Sequence, residues 1–434
     1  MRVLAAILGG LVLLLLIGAL ALGFWPVPAD LPEVGAGGKA GDPTPPTTPD
    51  RRGTGRIIEV KAGESIQAAI NQAQPGDTVR VQPGVYHESL LVQTESLTLE
   101  GVVQGEQRPV LDGQGKDANG ILGVADYFTV SGFKTVNHTS NGVTTQGLTG
   151  SIFRDLIAEQ PGDYGLFPVL STDVLIENVV TAGAIDTGIY VGQSTQIIVR
   201  GSEAYGNVSG IEIENSTDAL VEDNYVHDNA GGILVFVLPG KTATEGARNR
   251  IVNNRIEANN GRNFARPEMS VSLVPSGTGL LILASDSTEV TGNTFKNNKS
   301  VAVGLVALTD LGKNAFFGPD AALQGWDVPV RPDDNWIHDN IYENNGYAAE
   351  AFVKEVVGDG ADLLWAGTGH GNRWDEAGVS AIPSPLPASS WPAFLRTAYE
   401  RVLHFAVADE VPGPGGRAPR RPRRWRPRRW RKPG

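Results

Sequence analysis

Apolar residues recur at a short fixed period through the middle of the chain. A glycine followed by an apolar residue returns every 22 or 23 positions, and the series resumes after an insertion. The glycines of this series are Gly120, Gly142, Gly165, Gly188, Gly210, Gly232, Gly279 and Gly304. A repeat of this length is typical of a solenoid in which each unit stacks on its neighbours. Strand-like and turn residues alternate within each unit, which predicts strand, turn, strand.

A second column of small polar residues supports the same arrangement. Each member follows an aliphatic residue by three positions and precedes another apolar residue by two. The members are Asp155, Asn178, Ser202, Asn224, Asn254, Asn293 and Asn340. Stacked side chains of this kind form hydrogen-bonded ladders between rungs about 4.8 Å apart. We therefore predict an all-β fold, a single-stranded right-handed parallel β-helix with rungs of about 22 residues.

Alternation along the glycine-led strand separates the core from the surface, because successive side chains of a strand point to opposite faces. The residues one and three positions after each glycine are predicted to form the core. The residues two positions after it face outward: Thr144, Phe167, Tyr190, Glu212, Leu234, Leu281 and Val306. An outer column with so many apolar members predicts either a ligand-binding face or a surface covered by loops.

Three long insertions interrupt the C-terminal half of the series. They span about residues 238–248, 261–276 and 309–334. Loops of this length in a regular solenoid usually serve as lids or binding loops. We expect them to cover the aliphatic members of the outer column, and to leave Phe167, Tyr190 and Glu212 more open.

The N-terminal part of the chain differs from the body. Residues 1–24 carry one charge, Arg2, before an uninterrupted apolar run, which predicts a signal peptide or a single membrane anchor. Residues 25–55 are rich in Pro, Gly and Thr and are expected to form an extended linker. Either form of the leader places the body outside the cytoplasmic membrane, in the periplasm or at the cell surface.

A short helix is predicted to plug the first rung of the solenoid. Ser65 is expected to cap it, and its apolar face carries Ile66, Ala69, Ile70 and Ala73. The β-helix is then predicted over residues 56–372, and a C-terminal capping segment over residues 373–410.

A second helix is predicted within that capping segment, over residues 389–408. Ser390 is the expected cap, with Pro392 in the first turn. The predicted apolar stripe contains Phe394, Leu395, Ala398, Tyr399, Val402, Leu403 and Ala406. Arg396, Glu400 and Arg401 lie opposite, so we expect the stripe to pack on the β-helix and close its C-terminal end.

Charge is divided unevenly along the chain. Residues 411–434 hold ten basic residues and no acidic ones, so the formal charge of −12 for the whole chain becomes −22 in residues 1–410. An acidic body repels nucleic acid, and it repels polyuronates unless a cation bridges them. The basic segment, with Trp425 and Trp430, is expected to be disordered and to bind anionic lipid, lipopolysaccharide or acidic glycan. A solubilising tail and low-complexity sequence are equal alternatives.

Composition narrows the chemistry further. The chain has no Cys and six scattered His, which excludes disulfides and thiol nucleophiles and argues against a zinc cluster. No cofactor is therefore expected to be required, although paired carboxylates are suited to Ca²⁺.

The runs DYGLFPVLS, DTGIYVGQS, SGIEIENS, GGILVFVLPG and VPSGTGLLILA resemble a bacterial family of exported parallel β-helix repeat proteins. The resemblance covers roughly residues 57–390. The wider group is pectin-lyase-like and is distantly similar to periplasmic mannuronan epimerases. The resemblance implies the fold and export, but it supplies no settled activity.

The epimerase relatives carry a Tyr-Gly-Phe-Asp-Pro-His motif that supplies catalytic groups. The corresponding run here begins at Tyr164-Gly165 and has Phe167 and Val169 at the acidic and imidazole positions. That run therefore lacks the acid–base pair that sugar epimerisation needs.

The best candidate site joins neighbouring rungs. Asp163 and Asp186 each lie two residues before a rung glycine, and Tyr190 and Glu212 are stacked in the outer column. Together with Phe167 and Phe236 they predict a groove that binds an envelope or extracellular polysaccharide, which we expect to be acidic. In an alternative, a polyuronate lyase or epimerase, Tyr190 abstracts the C5 proton and Glu212 or Asp186 assists. Turn capping by the two aspartates is the ordinary structural explanation.

Two further alternatives remain at this level. The apolar outer column also suits a structural scaffold for an exported partner protein. The runs His227-Asp228-Asn229 and His338-Asp339-Asn340 resemble catalytic dyads, but they are predicted to be one asparagine turn repeated on two rungs.

Overall fold

A computed structural model of the chain describes residues 55–308 and 328–408. The predicted leader, nearly all of the predicted linker, most of the third insertion and the basic tail lie outside the described residues. Within the described ranges, no helix is long and apolar enough to cross a membrane.

The chain winds through three sheets whose strands all run parallel, and each coil adds one short strand to each sheet in turn. The twelve strands of sheet 1 are β1 (Ile57–Val60), β2 (Thr78–Val81), β5 (Thr98–Gly101), β8 (Thr129–Ser131), β11 (Thr149–Arg154), β14 (Thr172–Glu177), β17 (Thr195–Arg200), β20 (Thr217–Glu222), β23 (Arg250–Val252), β26 (Glu289–Thr291), β29 (Trp336–His338) and β32 (Arg373–Asp375).

Sheets 2 and 3 follow the same stacking order. The ten strands of sheet 2 are β3 (Gly84–Tyr86), β6 (Pro109–Asp112), β9 (Lys134–Val136), β12 (Ile157–Glu159), β15 (Val180–Ala182), β18 (Glu203–Tyr205), β21 (Tyr225–His227), β24 (Arg255–Glu257), β27 (Thr294–Lys296) and β30 (Ile341–Glu343). The eleven strands of sheet 3 are β4 (Leu90–Val92), β7 (Asn119–Gly123), β10 (Asn141–Gln146), β13 (Tyr164–Val169), β16 (Thr187–Gly192), β19 (Ser209–Glu214), β22 (Gly231–Phe236), β25 (Thr278–Leu283), β28 (Val301–Val306), β31 (Ala361–Trp365) and β33 (Ala381–Ile382).

The predicted parallel β-helix is confirmed, and so is its core. The residues that follow each rung glycine in sheet 3 are fully buried and stacked in register, among them Val143, Leu166, Ile189, Ile211, Ile233 and Leu280. The glycines themselves are needed for close approach between rungs. A Cβ on Gly165 would lie 2.4 Å from the carbonyl oxygen of Gly188 in the next rung.

One member of the predicted glycine series is misplaced. Gly304 pairs with Leu281 in the outward column, and Ala302 occupies the rung-glycine position of that coil. The prediction placed the rung glycine two residues too late, because Gly304 follows the small residue Ala302 that occupies this position. Since the strand period is two, the slip preserves the facing, and Leu305 is still buried in the core.

The predicted polar column is right only from Ser202 onward. Its ladder continues through Asn224, Asn254, Asn293 and Asn340, whose side-chain amides are joined at 2.9 Å. Asp155 and Asn178 sit one residue earlier in their coils, with φ of 54° and 53°. Asn and Asp tolerate this left-handed conformation. The same residue types therefore occur both at this turn position and at the ladder position one residue later, and the sequence pattern did not separate the two.

A second asparagine ladder lies at a different corner. Its amides are joined at 3.0–3.2 Å through Asn207, Asn229, Asn259, Asn298 and Asn345. The prediction that the two histidine runs repeat one turn is therefore wrong. His227 lies on sheet 2 beside this ladder, whereas His338 lies on sheet 1 beside the first.

The N-terminal helix forms as predicted, as α1 (Ile66–Ile70). The Ser65 hydroxyl accepts a hydrogen bond from the Ala68 N–H at 3.2 Å. The Glu88 carboxylate accepts two more, from the Ile66 and Gln67 N–H groups. These groups satisfy the free donors of the first turn, while Ile66, Ala69 and Ile70 are buried against the first coils.

A second helix, α2 (Ala351–Val357), was not anticipated, and it lies over the outer face of sheet 3. The β-helix also extends beyond the predicted boundary at residue 372. Strand β32 continues sheet 1, and β33 continues sheet 3.

The C-terminal helix, α3 (Ala393–Ala408), begins four residues later than predicted. The Pro392 carbonyl accepts from the Leu395 and Arg396 N–H groups at 2.9 and 3.2 Å. The helix therefore starts after Pro392, and Ser390 is not its cap.

The face of α3 that packs is also narrower than predicted. Tyr399 and Leu403 join the core cluster, which confirms docking on the β-helix. Phe394, predicted to be buried, is 39 % exposed. Glu400, predicted to face outward, is buried and accepts a hydrogen bond from the Gly371 N–H at 2.9 Å.

Candidate functional site

The outer face of sheet 3 carries a cavity of about 630 Å³. Its floor is built by the outward residues of strands β13 to β31, because the strand period of two places alternate side chains on that face. Its cover comes from parts of the insertions at residues 238–248 and 261–276 and from α2. The cavity therefore lies where the sequence predicted an apolar outer column under loops.

The insertion at residues 261–276 covers more of that face than predicted. Tyr190 and Glu212 were expected to be open, but they are 4 % and 3 % exposed. The insertion reaches back over earlier rungs, where Arg266 forms an ion pair with Asp163 at 2.6 Å. It also contains a short 3₁₀ helix, Ser270–Leu273. Val271 of this helix and Val274, which follows it, pack on Leu234.

Tyrosine hydroxyls and carboxylates cluster at one end of the cavity. Tyr164 donates a hydrogen bond from its hydroxyl to Asp186 Oδ2 at 2.8 Å. Tyr190 donates to Glu214 Oε2, and Lys241 Nζ contacts Glu214 Oε1 at 3.0 Å. We call Tyr164, Asp186, Tyr190, Glu212 and Glu214 the tyrosine–carboxyl cluster.

Glu212 differs from the other carboxyl groups in this cluster. It lines the cavity, and its Oε1 atom is buried without a hydrogen bond of normal geometry among the described residues, although the Thr187 and Ser209 hydroxyl groups lie near enough to lower its pKa in part. Burial raises the pKa of Glu212 well above its ordinary value, and the neighbouring charge of Asp186 raises it further. Burial likewise raises the pKa of Asp186, to about 6. The pair therefore keeps a proton to higher pH than isolated carboxyl groups do.

The same burial works against Tyr190 as a base. Desolvation raises the pKa of Tyr190 well above its ordinary value, and the charge of Glu214 adds to the effect. A tyrosinate is therefore disfavoured here, and the Tyr190 hydroxyl acts as a donor in the structure. If the cluster performs acid–base chemistry, Asp186 and Glu212 are the groups with suitable pKa values.

The ring of Phe167 packs against the two tyrosine rings of the cluster. Phe167 stacks on Tyr190 with ring centroids 4.7 Å apart, and it contacts the Tyr164 ring at 4.5 Å. The two tyrosine rings are themselves 5.1 Å apart. This packing fixes both hydroxyl groups in place, because the rings cannot move independently.

The structure brings together four of the six predicted site residues. Asp186, Tyr190, Glu212 and Phe236 line the cavity, whereas Asp163 and Phe167 do not. Asp163 instead bridges Arg266 and the Ser140 hydroxyl, which donates to it at 3.0 Å.

Sequence reasoning missed three residues of the site: Tyr164, Glu214 and Lys241. A signal for Glu214 was available, because it lies four positions after a rung glycine and shares the facing of Glu212. Tyr164 immediately precedes the rung glycine Gly165; its spacing does not mark it, but it begins the run that corresponds to the epimerase motif. Lys241 lies in an insertion, where periodicity carries no information.

No group of three or more His, Asp or Glu side chains in residues 55–308 and 328–408 is arranged to hold a metal ion. Asp163 and Asp186, the pair suited to Ca²⁺ by sequence, each have other partners. Calcium binding stays a prediction.

Comparison with known proteins agrees with this architecture. The family model described as a right handed beta helix region matches residues 124–316. The described residues of this range, 124–308, form a right-handed β-helix. The match confirms the resemblance to parallel β-helix repeat proteins that the motifs indicated. No curated protein matches the chain in sequence.

Several solved β-helix structures are similar to the chain at low identity. An alginate lyase from Paenibacillus sp. is 16 % identical, with a TM-score of 0.40 over 68 % of this chain and 99 % of the lyase. A mannuronan C-5 epimerase module from Azotobacter vinelandii is 16 % identical, with a TM-score of 0.39 over 72 % of this chain and 95 % of the module. A DFA-IIIase from Arthrobacter chlorophenolicus is 14 % identical, with a TM-score of 0.43 over 75 % of this chain and 94 % of that enzyme. Similarity this distant leaves the activity of the β-helix open.

Proposed function

We propose that the protein binds a saccharide in the cavity, with the tyrosine–carboxyl cluster as the site that recognises its hydroxyl groups. The observation that carries this proposal is the Glu212 carboxyl, which lines the cavity with an unpartnered Oε1. A buried polar atom without a partner costs about 1–3 kcal/mol, and a ligand hydroxyl at that position recovers the lost interaction.

The rest of the cluster suits a sugar in the same way. Carboxylates and tyrosine hydroxyls exchange hydrogen bonds with ring hydroxyl groups, and apolar side chains such as Phe236 pack against the C–H face of a ring. The alginate lyase and the mannuronan epimerase share the fold, and their names place them among proteins that act on polysaccharides. Binding of an envelope or extracellular polysaccharide, after export by the predicted leader, is compatible with that fold.

Charge favours an uncharged saccharide over a polyuronate. Four carboxyl-bearing residues line the cavity, and Lys241 is the one cation among the described lining residues. That cation is already paired with Glu214. A uronate carboxylate would therefore meet repulsion without a free counterion, unless Ca²⁺ accompanies it.

A glycan array tests the proposal. Wild-type protein should bind a set of neutral glycans, and Glu212→Ala should weaken that binding about tenfold or more, because the buried carboxyl that pairs with a ligand hydroxyl is removed. Glu222→Ala is the matched control, since Glu222 lies in the same coil but on sheet 1. Equal binding by wild type and Glu212→Ala would overturn the assignment of the site.

Catalysis on the bound glycan is the second candidate function, favoured by the raised pKa values of Asp186 and Glu212. A carboxyl that keeps its proton near neutral pH serves as a general acid, and its ionised neighbour serves as a base. Product analysis by mass spectrometry on the glycans that bind should show cleaved or isomerised sugar, with activity lost in Asp186→Asn. If bound glycans are recovered unchanged, the protein is a binding module or, as the remaining prediction has it, a scaffold.

A further inference from the structure

The cavity continues well beyond the tyrosine–carboxyl cluster. In the outward column of sheet 3, Glu212 is followed by Leu234, Leu281, Gly304 and Leu364 on successive rungs. Four rung steps of about 4.8 Å make this floor about 19 Å long. In this column the carboxyl is thus confined to one end, and the floor beyond it is leucine and glycine; we call this part of the cavity, which Thr278 also lines, the apolar arm.

Two apolar clusters outside the main core enclose this arm. On one side, Val271 and Val274 of the insertion pack with Leu234. On the other side, Val353 of α2 packs with Leu283, Val306 and Leu364. Leu281 contacts both clusters, so the arm runs between them.

Gly304 keeps the arm open. It stands in the outward column where its neighbours are leucines, and it lines the cavity. A Cβ at this position would meet only ordinary contacts, the nearest being Leu281 Cδ1 at 3.5 Å. The backbone here does not require glycine, so the effect of this residue is to leave space above the sheet.

The two elements that cover the arm also carry exposed apolar side chains. Leu273 is 39 % exposed and Phe352 is 42 % exposed, and both line the cavity. Large exposed apolar side chains at the rim of an apolar channel indicate contact with an apolar ligand.

We propose that the ligand is a glycolipid, an uncharged saccharide joined to an alkyl chain. Resting on the proposed function, this inference places the saccharide at the tyrosine–carboxyl cluster and the chain along the apolar arm. A plain polysaccharide would leave the arm without a partner, since aliphatic walls offer no hydrogen bonds. A wholly apolar molecule would leave Glu212 Oε1 unsatisfied at the other end.

A chain-length series of n-alkyl β-glucosides, titrated below their micelle concentrations, tests this inference. Methyl glucoside reports the saccharide end alone, and hexyl to decyl glucosides add the chain. Affinity should rise about fourfold for each methylene that enters the arm, the factor that corresponds to about 0.8 kcal/mol. An affinity that does not change with chain length would overturn the glycolipid assignment.

Variants locate the chain within the cavity. Gly304→Leu should fill the arm and flatten the chain-length dependence, and Gly304→Ala should do so in part. Phe352→Ser tests the rim at a side chain that is 42 % exposed. Val85→Gln is the control for nonspecific adsorption, because Val85 is 60 % exposed and lies outside the cavity. A chain-length dependence that persists in Gly304→Leu places the chain elsewhere and contradicts the inference.

The two proposals fail in different ways. If neutral glycans bind and depend on Glu212 but added methylenes have no effect, the saccharide site stands and the glycolipid inference is wrong. If alkyl chains bind with the expected slope but Glu212→Ala has no effect, the arm binds lipid and the saccharide proposal is wrong.

Discussion

At the scale of single residues, the outer face of sheet 3 concentrates groups that are costly to bury. Asp186 and Glu212 are 6 % and 3 % exposed, and burial raises the pKa of each. Their nearest stabilising partners are hydroxyl groups, of which Tyr164 and Thr187 donate to Asp186. Burying these carboxyl groups does not stabilise the fold. Groups that are costly to bury in this way are typical of functional sites.

This cost predicts a pH-dependent stability for Glu212→Gln. A carboxyl whose folded pKa is raised holds its proton in the folded state while the unfolded state loses it, so stability falls as pH rises above the ordinary Glu pKa of 4.5. Glutamine lacks this titration. The melting temperature of Glu212→Gln relative to wild type should therefore increase between pH 4 and pH 8. A constant difference over that range would show that Glu212 is not strained by burial.

Part of this site could be predicted from the sequence. Tyr190 and Glu212 were located correctly because a strict strand period determines which residues face outward. Their burial was not predictable, since it depends on how an insertion folds back across 103 positions of the chain to join Arg266 to Asp163. The period of a strand shows which side chains point outward from the sheet. It does not show which loops cover those side chains.

At the scale of elements, α3 contributes to stability through a small contact area. The Tyr399 ring packs edge-on against Trp391 at 5.6 Å, and its hydroxyl donates to the Pro385 carbonyl at 2.5 Å. Phe394 stays exposed, so fewer side chains hold the helix than its amphipathic pattern suggested.

We expect truncation after Ala388 to lower the melting temperature by several degrees. The truncation removes Tyr399 from the core cluster and exposes Trp374 and other core residues at that end. Tyr399→Ala should reproduce most of the loss, about 2–4 kcal/mol for a large buried side chain. Phe394→Ala is the control and should change little. Thermal unfolding followed by circular dichroism measures all three, and an unchanged midpoint in the truncated chain would mean that α3 does not close the β-helix.

The same helix carries a pH-sensitive contact. Burial, together with the charges of Asp333 and Asp334, raises the pKa of Glu400 from 4.5 to about 7. Because the folded state retains the proton that the unfolded state loses, the stability of the fold decreases as pH rises from about 4.5 to about 7. Glu400→Gln should remove that trend and stabilise the protein at pH 8 relative to wild type, by about 3 kcal/mol at most. If thermal unfolding shows the same pH profile for both proteins, Glu400 is not protonated in the folded state.

At the scale of the whole molecule, stability spreads along the solenoid through repeated contacts between neighbouring coils. Each ladder asparagine accepts from a backbone N–H of the coil before it and donates to side chains and carbonyls of adjacent coils. The fold was predictable from such repetition, but the number of ladders was not. Asn207 and Asn229 belong to a second ladder at another turn of each coil, which the predicted polar column did not include.

Removing a rung of the first ladder should therefore destabilise the chain. Asn254→Ala breaks contacts with Asn224, Asn293 and the Val221 carbonyl, and it leaves buried polar groups unpaired. We expect a loss of about 2–4 kcal/mol in the free energy of unfolding. Asn71→Ala is the control, since Asn71 is exposed and has an ordinary φ of −65°. Denaturant titration measures both variants, and equal effects would argue against a structural role for the buried ladder.

The central claim is that a saccharide binds under the insertions on the outer face of sheet 3, and a crystal structure of the protein with a neutral oligosaccharide selected on the array tests it most directly. We predict a ligand hydroxyl within about 2.6–3.0 Å of Glu212 Oε1, in contact with the tyrosine–carboxyl cluster. A saccharide bound on sheet 1 or sheet 2, with the cavity free of ligand, would contradict the account.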